Sequence, residues 1–485
     1  MGTWESTSDP RRPRAALGSV EDPASIGDAA RGGQIVLARA SSDRSWTLCL
    51  IPDMSWTEHK VQDFAGGRGQ SEGMTGSAHS PRRMPRPAEL RPLIGLARPE
   101  LSPTRRRLAA ALTVADLRLA ARRSVPRAVF DYVDGSAETE ASYRRARAAY
   151  EGLEFQPRVL RDVGGLSLAT TVLGEPAALP FCFAPTGFTR LMHHSGEAAV
   201  ARVAASRGIP YAVSTLGTST PEAVAVAVRE NPAARLWFQL YVWRDRAAAE
   251  ELMARADAVG YEALVLTVDV PVAGARLRDV RNGLSVPPAL TPRTMVDVAR
   301  HPRWWGNVLT TEPIDFAALS GWDGTIGEKL NRLFDPTMTL ADLDWVRANW
   351  RKPLIVKGIQ TLQDARAVTG AGADAIVLSN HGGRQLDRAP VPVRILPDVR
   401  AALGPHAQVL VDSGIMSGAD VVAALALGAT STLVGRAYLY GLMAGGEAGV
   451  ERVADILTGE IRRTMALLGA ASVADLTPDM VRLPA

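Results

Sequence analysis

Eight short apolar runs recur between residues 181 and 437, and helix-like segments separate most of them. Short apolar runs bounded by turn residues are typical of strands buried on both faces, and strands that alternate with helices form parallel sheets. Eight such units close into an α/β fold of the (β/α)8 TIM-barrel type, while an open, doubly wound sheet is the alternative on pattern alone. The runs span 181–186, 211–215, 236–242, 263–270, 353–358, 375–380, 409–414 and 432–437.

Polar side chains fall at the carboxyl ends of these apolar runs. In a barrel those ends converge on one mouth, and enzymes of this architecture carry their sites there. This placement favours the barrel over the open sheet and predicts a functional site at the mouth. The residues concerned are Thr186, Ser214, Tyr241, Asp269, Lys357, Asn380, Asp412 and Arg436.

A helical segment precedes the repeat, and one long loop interrupts it. Thr113 is a suitable N-cap for a helix over VADLRLAARR, and Pro126 precedes a second helix over RAVFDYV. The loop runs from about Ala275 to Pro336, after the fourth strand, and long loops of this kind are commonly lids or binding surfaces. Its aromatic residues either pack against the barrel or contact a membrane surface or an electron acceptor; they are Trp304, Trp305, Phe316, Trp322 and Phe334.

Residues 1–85 differ in composition from the rest of the chain. They are rich in Ser, Gly, Pro and Arg without a sustained period of 2 or 3.6, so we expect a disordered extension before one domain of residues 86–485. Residues 1–107 hold 16 Lys and Arg against 12 Asp and Glu, which accounts for the whole net charge of +4. We interpret this excess as a solvated tail and expect no nucleic-acid partner. Nucleic-acid binding by the tail is the alternative, which deletion of residues 1–83 tests.

Compartment and metal content follow from what the sequence contains. No run of about twenty apolar residues is present, so we expect no transmembrane helix. The first residues lack the apolar core of a secretory signal. Two cysteines, Cys49 and Cys182, make neither a disulfide framework nor a thiolate metal site. We expect a cytoplasmic protein that binds no metal. Any membrane contact that it makes is expected at the inner face of the cell membrane.

The segment SNHGGRQLD (379–387) carries the most specific chemistry. His381 can accept a proton near neutral pH, and Arg384 can bind a carboxylate through two parallel hydrogen bonds. Gly382 and Gly383 let the chain turn tightly between them. An isolated His–Arg pair is more often structural, but its place after a buried strand favours a functional role.

Two further segments extend the predicted site. Asp269 ends the fourth run, where it could accept the Nδ1 proton of a histidine, and Arg276 could reach over the mouth as a second carboxylate clamp. Two arginines around one substrate argue for an anion, although a surface ion pair is the alternative for either alone. Lys357 ends the fifth run and suits a fixed positive charge or a Schiff-base amine.

The last two runs end in glycine-rich segments, VDSGIMSGAD (411–420) and LVGRAYLYG (433–441). In barrels the loops after strands seven and eight often bind phosphate through glycine N–H groups and a helix N-terminus. Gly414, Gly418, Gly435 and Arg436 suit that role. Neither a Walker-type loop nor a dinucleotide fingerprint follows a strand, so the predicted phosphate belongs to a mononucleotide.

From Thr113 to its end the chain resembles the FMN-dependent L-2-hydroxy-acid oxidase and dehydrogenase family. Members include glycolate oxidase, lactate oxidase, mandelate dehydrogenase and the bacterial L-lactate dehydrogenases, and the last are the most similar in detail. The resemblance rests on FDYVDGSAE, APTGFTRLMH, FQLY, LTVDVP, VKGI, SNHGGRQLD and VGR in this order.

The resemblance implies roles for the residues identified above and adds others. His381 would be the active-site base with Asp269 as its partner, and Lys357 would lie by the flavin N1–C2=O edge. The substrate-binding residues it implies are Tyr132, Tyr241, Arg276 and Arg384. The flavin-binding residues it implies are Pro185, Thr186, Gly187, Ser214, Gln239, Thr267, Lys357 and Ser379, with Asp412, Gly414, Gly435 and Arg436 at the ribityl phosphate.

Two positions depart from relatives in the family. Many members have arginine where this chain has Met416, in the loop after strand seven. A thioether cannot neutralise phosphate, so we expect looser FMN retention without loss of activity. Leu216 stands where glycolate oxidase has a bulkier aromatic residue, which suits a substrate side chain at least as large as the methyl group of lactate.

The resemblance implies oxidation of L-lactate to pyruvate, with electrons passing through FMN to an acceptor that we expect to be a quinone. An oxidase that returns electrons to oxygen and makes peroxide is the nearest alternative. A catalytically silent phosphate-binding barrel is an alternative of another class. No CxxCH motif is present, so no haem domain is expected. The family also implies a homo-oligomer, with a tetramer favoured.

Overall fold

In the computed structural model of the protein, eight parallel strands close into a barrel. The strands follow one another around the barrel in chain order, so neighbours come from consecutive repeats. We number them β1 to β8: Phe181–Phe183, Pro210–Ser214, Arg235–Leu240, Ala263–Thr267, Leu354–Ile359, Ala375–Leu378, Gln408–Val411 and Ser431–Val434. The closed barrel confirms the predicted (β/α)8 fold and excludes the open sheet.

The barrel lies in the second of two units into which the chain divides, residues 1–95 and 96–485. The structure describes residues 36–39, 46–49, 84, 86–90, 100–243, 245–283, 291–319 and 335–484. In the first unit it gives an antiparallel pair of strands, Val36–Arg39 and Trp46–Cys49, and a one-turn helix α1 over Pro87–Leu90. The other residues of the 1–85 extension, apart from Met84, lie outside these ranges, so its disorder and its boundary stay predictions.

Helices precede the barrel and connect its strands. Before β1 come α2 (Pro103–Ala110), α3 (Val114–Arg122), α4 (Arg127–Asp134) and α5 (Ala141–Glu151). After β1, β2 and β3 come α6 (Thr189–Met192) with α7 (Gly196–Ser206), α8 (Pro221–Val228) and α9 (Arg246–Ala258). Between β4 and β5 lie α10 (Leu277–Arg281), α11 (Pro292–Ala299), α12 (Pro302–Leu309) and α13 (Asp342–Asn349). The last strands are followed by α14 (Leu362–Gly370), α15 (Pro392–Leu403), α16 (Gly418–Ala426), α17 (Arg436–Gly445) and α18 (Glu447–Leu468).

Two short antiparallel pairs complete the second unit. Glu154–Phe155 pairs with Val481–Arg482, and Thr170–Val172 pairs with Glu175–Ala177. The second pair contributes Val172 and Ala177 to the same apolar cluster as the barrel interior. It therefore packs against the barrel core ahead of β1.

The start of the helical segment follows the predicted capping chemistry. The hydroxyl of Thr113 accepts a hydrogen bond from the N–H of Asp116 at 3.2 Å, and the Asp116 carboxylate accepts one from the N–H of Thr113 at 2.9 Å. This reciprocal capping box satisfies N–H groups that a helix start leaves unpaired. Pro126 immediately precedes α4, where its missing N–H costs nothing. Both predicted helix starts are confirmed.

Seven of the eight predicted strands extend too far at their carboxyl ends, whereas the fifth ends at Ile359, one residue beyond its predicted end. Ser214 and Lys357 lie in strands, whereas Thr186, Tyr241, Asp269, Asn380, Asp412 and Arg436 lie beyond the strand ends. The physical reason is visible at Asn380, whose N–H donates to the Ser413 hydroxyl at 3.2 Å and whose side chain accepts from the Gly383 N–H at 3.0 Å. Hydrogen bonds of this kind, formed across the barrel mouth, take over where the backbone ladder between the strands ends.

Each strand contributes an apolar side chain to the barrel interior, and Ala263 and Ala375 add a second one from β4 and β6. These residues form a single buried cluster: Cys182, Ala212, Trp237, Ala263, Val265, Ile355, Ala375, Val377, Leu410 and Leu433. A larger cluster fills the space between the outer faces of the strands and the helices. The barrel is therefore a packed core with its site at one end and no open channel.

The long loop after β4 is partly helical where the structure describes it. The Trp304 indole N–H donates to the Leu191 carbonyl at 2.8 Å, and the Phe316 ring packs 4.6 Å from the Phe188 ring. The packing interpretation therefore holds for these two aromatic residues. Trp305 is exposed. Residues 284–290 and 320–334, which include Trp322 and Phe334, lie outside the described residues. Within the described ranges, no helix combines the length and apolar character needed to cross a membrane.

Candidate active site

A layer of mostly polar residues lies directly above the apolar interior of the barrel. Side chains alternate between the two faces of a strand, so the residue two positions after each interior residue also points inward. Ladder bonds continue to these positions, for example from the Ser379 N–H to the Ile359 carbonyl at 3.1 Å and from the Asp412 N–H to the Leu378 carbonyl at 3.1 Å. The layer consists of Ala184, Ser214, Gln239, Thr267, Lys357, Ser379, Asp412 and Gly435.

Two polar groups in this layer have no partner within the described protein. The Ser214 hydroxyl donates to the Gln239 carbonyl oxygen at 2.9 Å, which leaves the Gln239 amide nitrogen free to donate elsewhere. This nitrogen and the Thr267 hydroxyl are buried without a hydrogen bond to any described residue. Buried polar groups are normally paired, so both atoms point to a polar ligand at the mouth.

Lys357 is the buried cation of the layer. Its ammonium lies 3.0 Å from the Asp412 carboxylate and donates to the Ser379 hydroxyl at 2.9 Å. Burial alone would lower the pKa of Lys357, but the charges of Asp412 and Asp269 outweigh it and raise the pKa. The ammonium therefore stays protonated at neutral pH. The pairing also places Asp412 beside the lysine.

His381 and Asp269 form a hydrogen-bonded pair at the mouth. The distance from His381 Nδ1 to Asp269 Oδ1 is 3.0 Å, and the carboxylate is almost fully buried. Burial would raise the pKa of Asp269, but the charge and hydrogen bond of His381, together with the charge of Lys357, lower it. Asp269 is thus ionised and fixes the histidine ring, so Nε2 is the ring nitrogen left to exchange a proton.

The loop that carries His381 is held in an unusual conformation. His381 has a φ of 57°, and Gly382 and Gly383 follow with φ of 64° and 74°. The Ser413 hydroxyl accepts from the Gly382 N–H at 3.0 Å, and the Ser379 hydroxyl accepts from the His381 N–H at 3.0 Å. A non-glycine residue with positive φ is strained and persists where the surroundings fix it, as at functional sites.

Arg384 and Arg276 lie against the ring of Tyr132. The guanidinium carbons are 4.9 Å and 5.7 Å from the ring centroid. Arg384 also donates to the carbonyls of Tyr132 and Gly135, the latter at 3.3 Å. Burial and the nearby charge of Arg276 lower the pKa of Arg384 to about 10. It stays charged at neutral pH, and the two cations and the tyrosine form a cluster suited to a carboxylate.

Tyr241, Gly187 and Leu216 line the same region. Tyr241 is buried, and burial together with the charge of Asp269 raises the pKa of its phenol, so it stays protonated. A Cβ added at Gly187 would come within 2.9 Å of the Leu216 Cβ. The close approach of these two segments therefore requires glycine at position 187.

Thr186 and Pro185 stand at the β1 end of the mouth. Thr186 shares a hydrogen bond with the Tyr438 hydroxyl, which also donates to the Ala184 carbonyl at 3.0 Å. Pro185 is half-buried between them. The structure therefore anchors this backbone segment to α17.

The predicted phosphate region is organised differently from expectation in one respect. Arg436 donates to the Val133 carbonyl at 2.9 Å and to the Gly135 carbonyl at 2.8 Å, and its guanidinium lies 4.7 Å from the Tyr143 ring centroid. Its Nη1 makes no hydrogen bond to any described residue. Arg436 therefore links α17 to the end of α4, and Nη1 is the group available to an anion.

Arg147 is a cation beside the same region that the sequence did not reveal. It donates to the Gly414 carbonyl and lies 2.7 Å from the Asp420 carboxylate. Asp420 in turn accepts from the N–H of Met416 at 2.8 Å. Arg147 is carried by α5, far away in sequence, so only the fold shows that a cation stands next to Met416.

Other supporting residues were also missed. The Gln385 amide donates to the Val272 carbonyl at 3.0 Å and accepts from the Gly274 N–H at 3.2 Å, which ties the His381 loop to the loop after β4. The Asp387 carboxylate accepts from the N–H groups of Ser142 at 2.8 Å and Thr139 at 3.1 Å. Both residues belong to the segment SNHGGRQLD, so their position in it was the one available signal.

Comparison with known proteins identifies the family. The profile described as FMN-dependent dehydrogenase matches residues 121–483. The chain belongs to this family. Its cofactor is therefore FMN, and it is an oxidoreductase.

Relatives in the family include proteins named for one reaction. A Mycobacterium tuberculosis protein named "Putative L-lactate dehydrogenase" is 58% identical over 397 residues, which cover 82% of this chain and 95% of the relative. The L-lactate dehydrogenase of Xanthomonas axonopodis pv. citri is 42% identical over 372 residues, covering 75% and 94%. These identities extend across nearly the whole length of both relatives.

Solved structures with the same fold are named for a different substrate. The monotopic membrane protein (S)-mandelate dehydrogenase matches with a TM-score of 0.74 and 36% identity, covering 77% of this chain and 100% of that one. Mandelate oxidase matches with a TM-score of 0.65 and 38% identity, covering 77% and 100%. The structural neighbours thus include both a dehydrogenase and an oxidase.

The residues at the barrel mouth fit FMN. One inward layer holds the unpartnered Gln239 amide nitrogen, the Thr267 hydroxyl and the buried Lys357 ammonium. These polar groups suit the polar edge of the flavin ring system. The unbonded Nη1 of Arg436 and the nearby Arg147 supply positive charge for a phosphate group. The same mouth carries the His381–Asp269 pair.

Proposed function

We propose that the protein oxidises L-lactate to pyruvate with FMN as its cofactor and passes the electrons to a membrane quinone. The observation that carries the proposal is the hydrogen-bonded His381–Asp269 pair beside two arginines at the mouth of a family barrel. The names of the relatives support lactate as the substrate. The solved structures named for mandelate, another 2-hydroxy acid, are 36% and 38% identical to this chain, below the 58% and 42% of the relatives named for lactate.

The carboxylate of L-lactate binds between Arg276 and Arg384, and the hydroxyl of Tyr132 assists them. Both guanidiniums lie against the Tyr132 ring, so the three groups converge on one place. An arginine holds a carboxylate through paired charge-assisted hydrogen bonds. Tyr241 donates a hydrogen bond near the substrate hydroxyl, because its phenol stays protonated.

His381 is the base. Its Nδ1 is engaged by Asp269, so Nε2 accepts the proton that leaves the substrate, and the ionised Asp269 stabilises the imidazolium that results. The conversion of lactate to pyruvate removes two electrons and two protons. His381 takes one of these protons, and FMN, when bound, would supply the acceptor for the two electrons and the other proton. Lys357 keeps a positive charge in the layer where FMN binds, which favours added negative charge there.

The acceptor and the membrane contact are supported by the surface of the long loop. Large apolar side chains are exposed along α10, α11 and α12: Val280, Met295, Val296, Trp305 and Leu309. An exposed apolar stripe next to basic residues is suited to a membrane surface, where quinones are dissolved. A homo-oligomer also stays a prediction, which light scattering on the purified protein tests.

The test of the proposed function is anaerobic mixing of the purified protein with L-lactate while its visible spectrum is recorded. We expect L-lactate, but not D-lactate, to bleach the flavin band, and a quinone to restore it much faster than air. His381→Gln should abolish bleaching, whereas His406→Gln, at an exposed position outside the site, should not. Fast recovery in air with peroxide would identify an oxidase instead. A flavin band that no 2-hydroxy acid bleaches would refute the proposal.

A further inference from the structure

A cavity of about 300 Å³ lies between α2, α6, α12 and α17, and none of its lining residues belongs to the candidate active site. Its size is at the lower end of the range of about 300 to 1,000 Å³ typical of small-molecule sites. Buried apolar side chains of Val125, Met192 and Met443 form part of its wall. The charged side chains in the rest of the wall are all positive.

Positive charge dominates the lining of this cavity. No aspartate or glutamate lines it, and none of its arginines has a carboxylate within 4.0 Å among the described residues. Two partly buried arginines outside the candidate active site differ, since Arg147 pairs with Asp420 at 2.7 Å and Arg278 with Asp134 at 2.8 Å. The arginines of the basic cavity are Arg107, Arg123, Arg190, Arg300 and Arg303.

Arg107 is a partly buried arginine of the basic cavity, and its positive charge also lacks a carboxylate partner. One of its amino groups donates to the Ala444 carbonyl at 2.8 Å, while its Nε is buried without a hydrogen bond to any described residue. Burial and the charge of Arg303 lower the pKa of Arg107. A guanidinium held in this way is stabilised by an anion that accepts from Nε and neutralises the charge.

The other polar groups of the basic cavity are also suited to an anion. Arg190 is oriented by a hydrogen bond to the Glu312 carbonyl at 2.7 Å. The eight-residue helix α12 begins at the cavity with Pro302, so the positive end of its dipole adds to the arginines. Burial and the neighbouring His194 lower the pKa of His193 to about 4, so His193 is neutral at pH 7 and can donate or accept.

We infer that the basic cavity binds a phosphate group, as free inorganic phosphate or as the headgroup of an anionic lipid. Several guanidiniums around one small space match the charge and geometry of phosphate, which arginine binds through paired N–H groups. Trp305 and Leu309 are exposed on the same helix, α12, that lines the cavity, and they would meet the acyl region if the phosphate belongs to a lipid.

The test uses the FMN-saturated full-length protein, so that the flavin phosphate region is filled. The variant Arg107→Gln/Arg303→Gln removes two cavity charges. The matched control Arg106→Gln/Arg122→Gln removes two exposed charges of helices α2 and α3 that do not line the cavity. Calorimetric titration with inorganic phosphate measures the free-phosphate arm. Sedimentation with phosphatidylcholine vesicles, with and without phosphatidylglycerol, measures the lipid arm.

We expect the cavity variant to bind at least about tenfold more weakly than the control in one arm, a difference of about 1.4 kcal/mol. Binding of inorganic phosphate that the cavity variant loses would assign a free phosphate. Sedimentation that needs phosphatidylglycerol and that the cavity variant loses would assign a lipid headgroup. Equal binding by the variant and its control in both arms, or no binding by the wild type in either, would overturn the proposal.

Two measurements keep this result separate from folding and from the proposed function. Flavin bleaching by L-lactate should be unchanged in the cavity variant, because neither arginine belongs to the active site. If the double variant fails to fold, Arg303→Gln alone removes a charge at an exposed position and should show the same loss in smaller measure. Loss of bleaching in the wild type would refute the lactate proposal and leave the cavity result unaffected.

Discussion

Asp134 is expected to hold the substrate clamp in place from outside the mouth. Its carboxylate accepts from Arg118 at 2.5 Å and 2.9 Å, from Arg278 at 2.8 Å and from the Tyr440 hydroxyl at 2.8 Å. Arg278 belongs to α10, two residues after Arg276, so this network fixes the segment that presents one of the two carboxylate-binding arginines. The variant Asp134→Asn keeps the shape but removes the charge.

The size of the effect can be estimated from burial. Breaking a fully buried ion pair costs about 3 to 5 kcal/mol. The side chain of Asp134 is only 3% exposed, but those of Arg118 and Arg278 are 40% and 33% exposed and can be hydrated when the partner is lost. We therefore expect Asp134→Asn to lower the free energy of unfolding by about 2 to 4 kcal/mol, below the fully buried case.

The assay combines urea unfolding with steady-state kinetics. The urea midpoint should fall, and KM for L-lactate should rise more than kcat falls, because binding depends on the position of Arg276. Arg278→Gln should reproduce the KM effect, and the double variant should cost less than the sum of the two, because both changes break the same contact. Asp344→Asn, an exposed aspartate of α13, is the control. An unchanged midpoint and KM in Asp134→Asn would refute the argument.

Three further predictions concern single contacts near the mouth. Gly187→Ala should lower stability by about 1 to 3 kcal/mol through overpacking, and the second change Leu216→Gly, which removes the Cβ that the new methyl group would meet, should restore part of the loss in thermal unfolding. Arg147→Gln should leave buried Asp420 without its ion-pair partner and so lower the free energy of unfolding by about 1 to 3 kcal/mol. It should also speed the release of FMN, measured by filtration. Unchanged FMN release would show that Arg147 does not act in the phosphate region. Burial would raise the pKa of Asp387, but hydrogen bonds from Thr139 and neighbouring backbone N–H groups lower it to about 2. Its stabilising effect is full above the unfolded pKa of about 3.9 and is lost towards pH 2, so the deficit of Asp387→Asn in urea unfolding should narrow over that range.

The barrel could be predicted because its signal is local. Each strand is a short apolar run, and several helix starts have a side chain that caps them, as Thr113 does. The inward polar layer follows from the period of two, since Gln239 and Thr267 stand two residues after Trp237 and Val265. The carboxyl ends of most strands were predicted too far along the chain. An apolar run does not show at which residue the backbone hydrogen bonds between neighbouring strands stop.

The rest of the site depends on contacts between distant parts of the chain. Arg147 is 267 residues from its partner carbonyl at Gly414, and Arg436 is more than 300 residues from Val133. No local spacing marks such pairs. The basic cavity is a stronger case, because its arginines come from separate helices and loops, and each has an ordinary sequence context. Only the packing of α2 and α12 against α17 and α6 brings them together.

The basic groups at the barrel mouth differ in whether they already have a carboxylate partner within the protein. Lys357 is neutralised by Asp412, and His381 is hydrogen-bonded to Asp269, so both residues already have a carboxylate partner within the protein. Arg384 differs, because its partners in the structure are carbonyls and the Tyr132 ring. A partly buried guanidinium without a carboxylate favours a ligand that supplies one, so we expect the carboxylate of the substrate to complete this part of the site. On this proposal the carboxylate is the group that selects the substrate, and the His381–Asp269 pair acts on the hydroxyl-bearing carbon next to it.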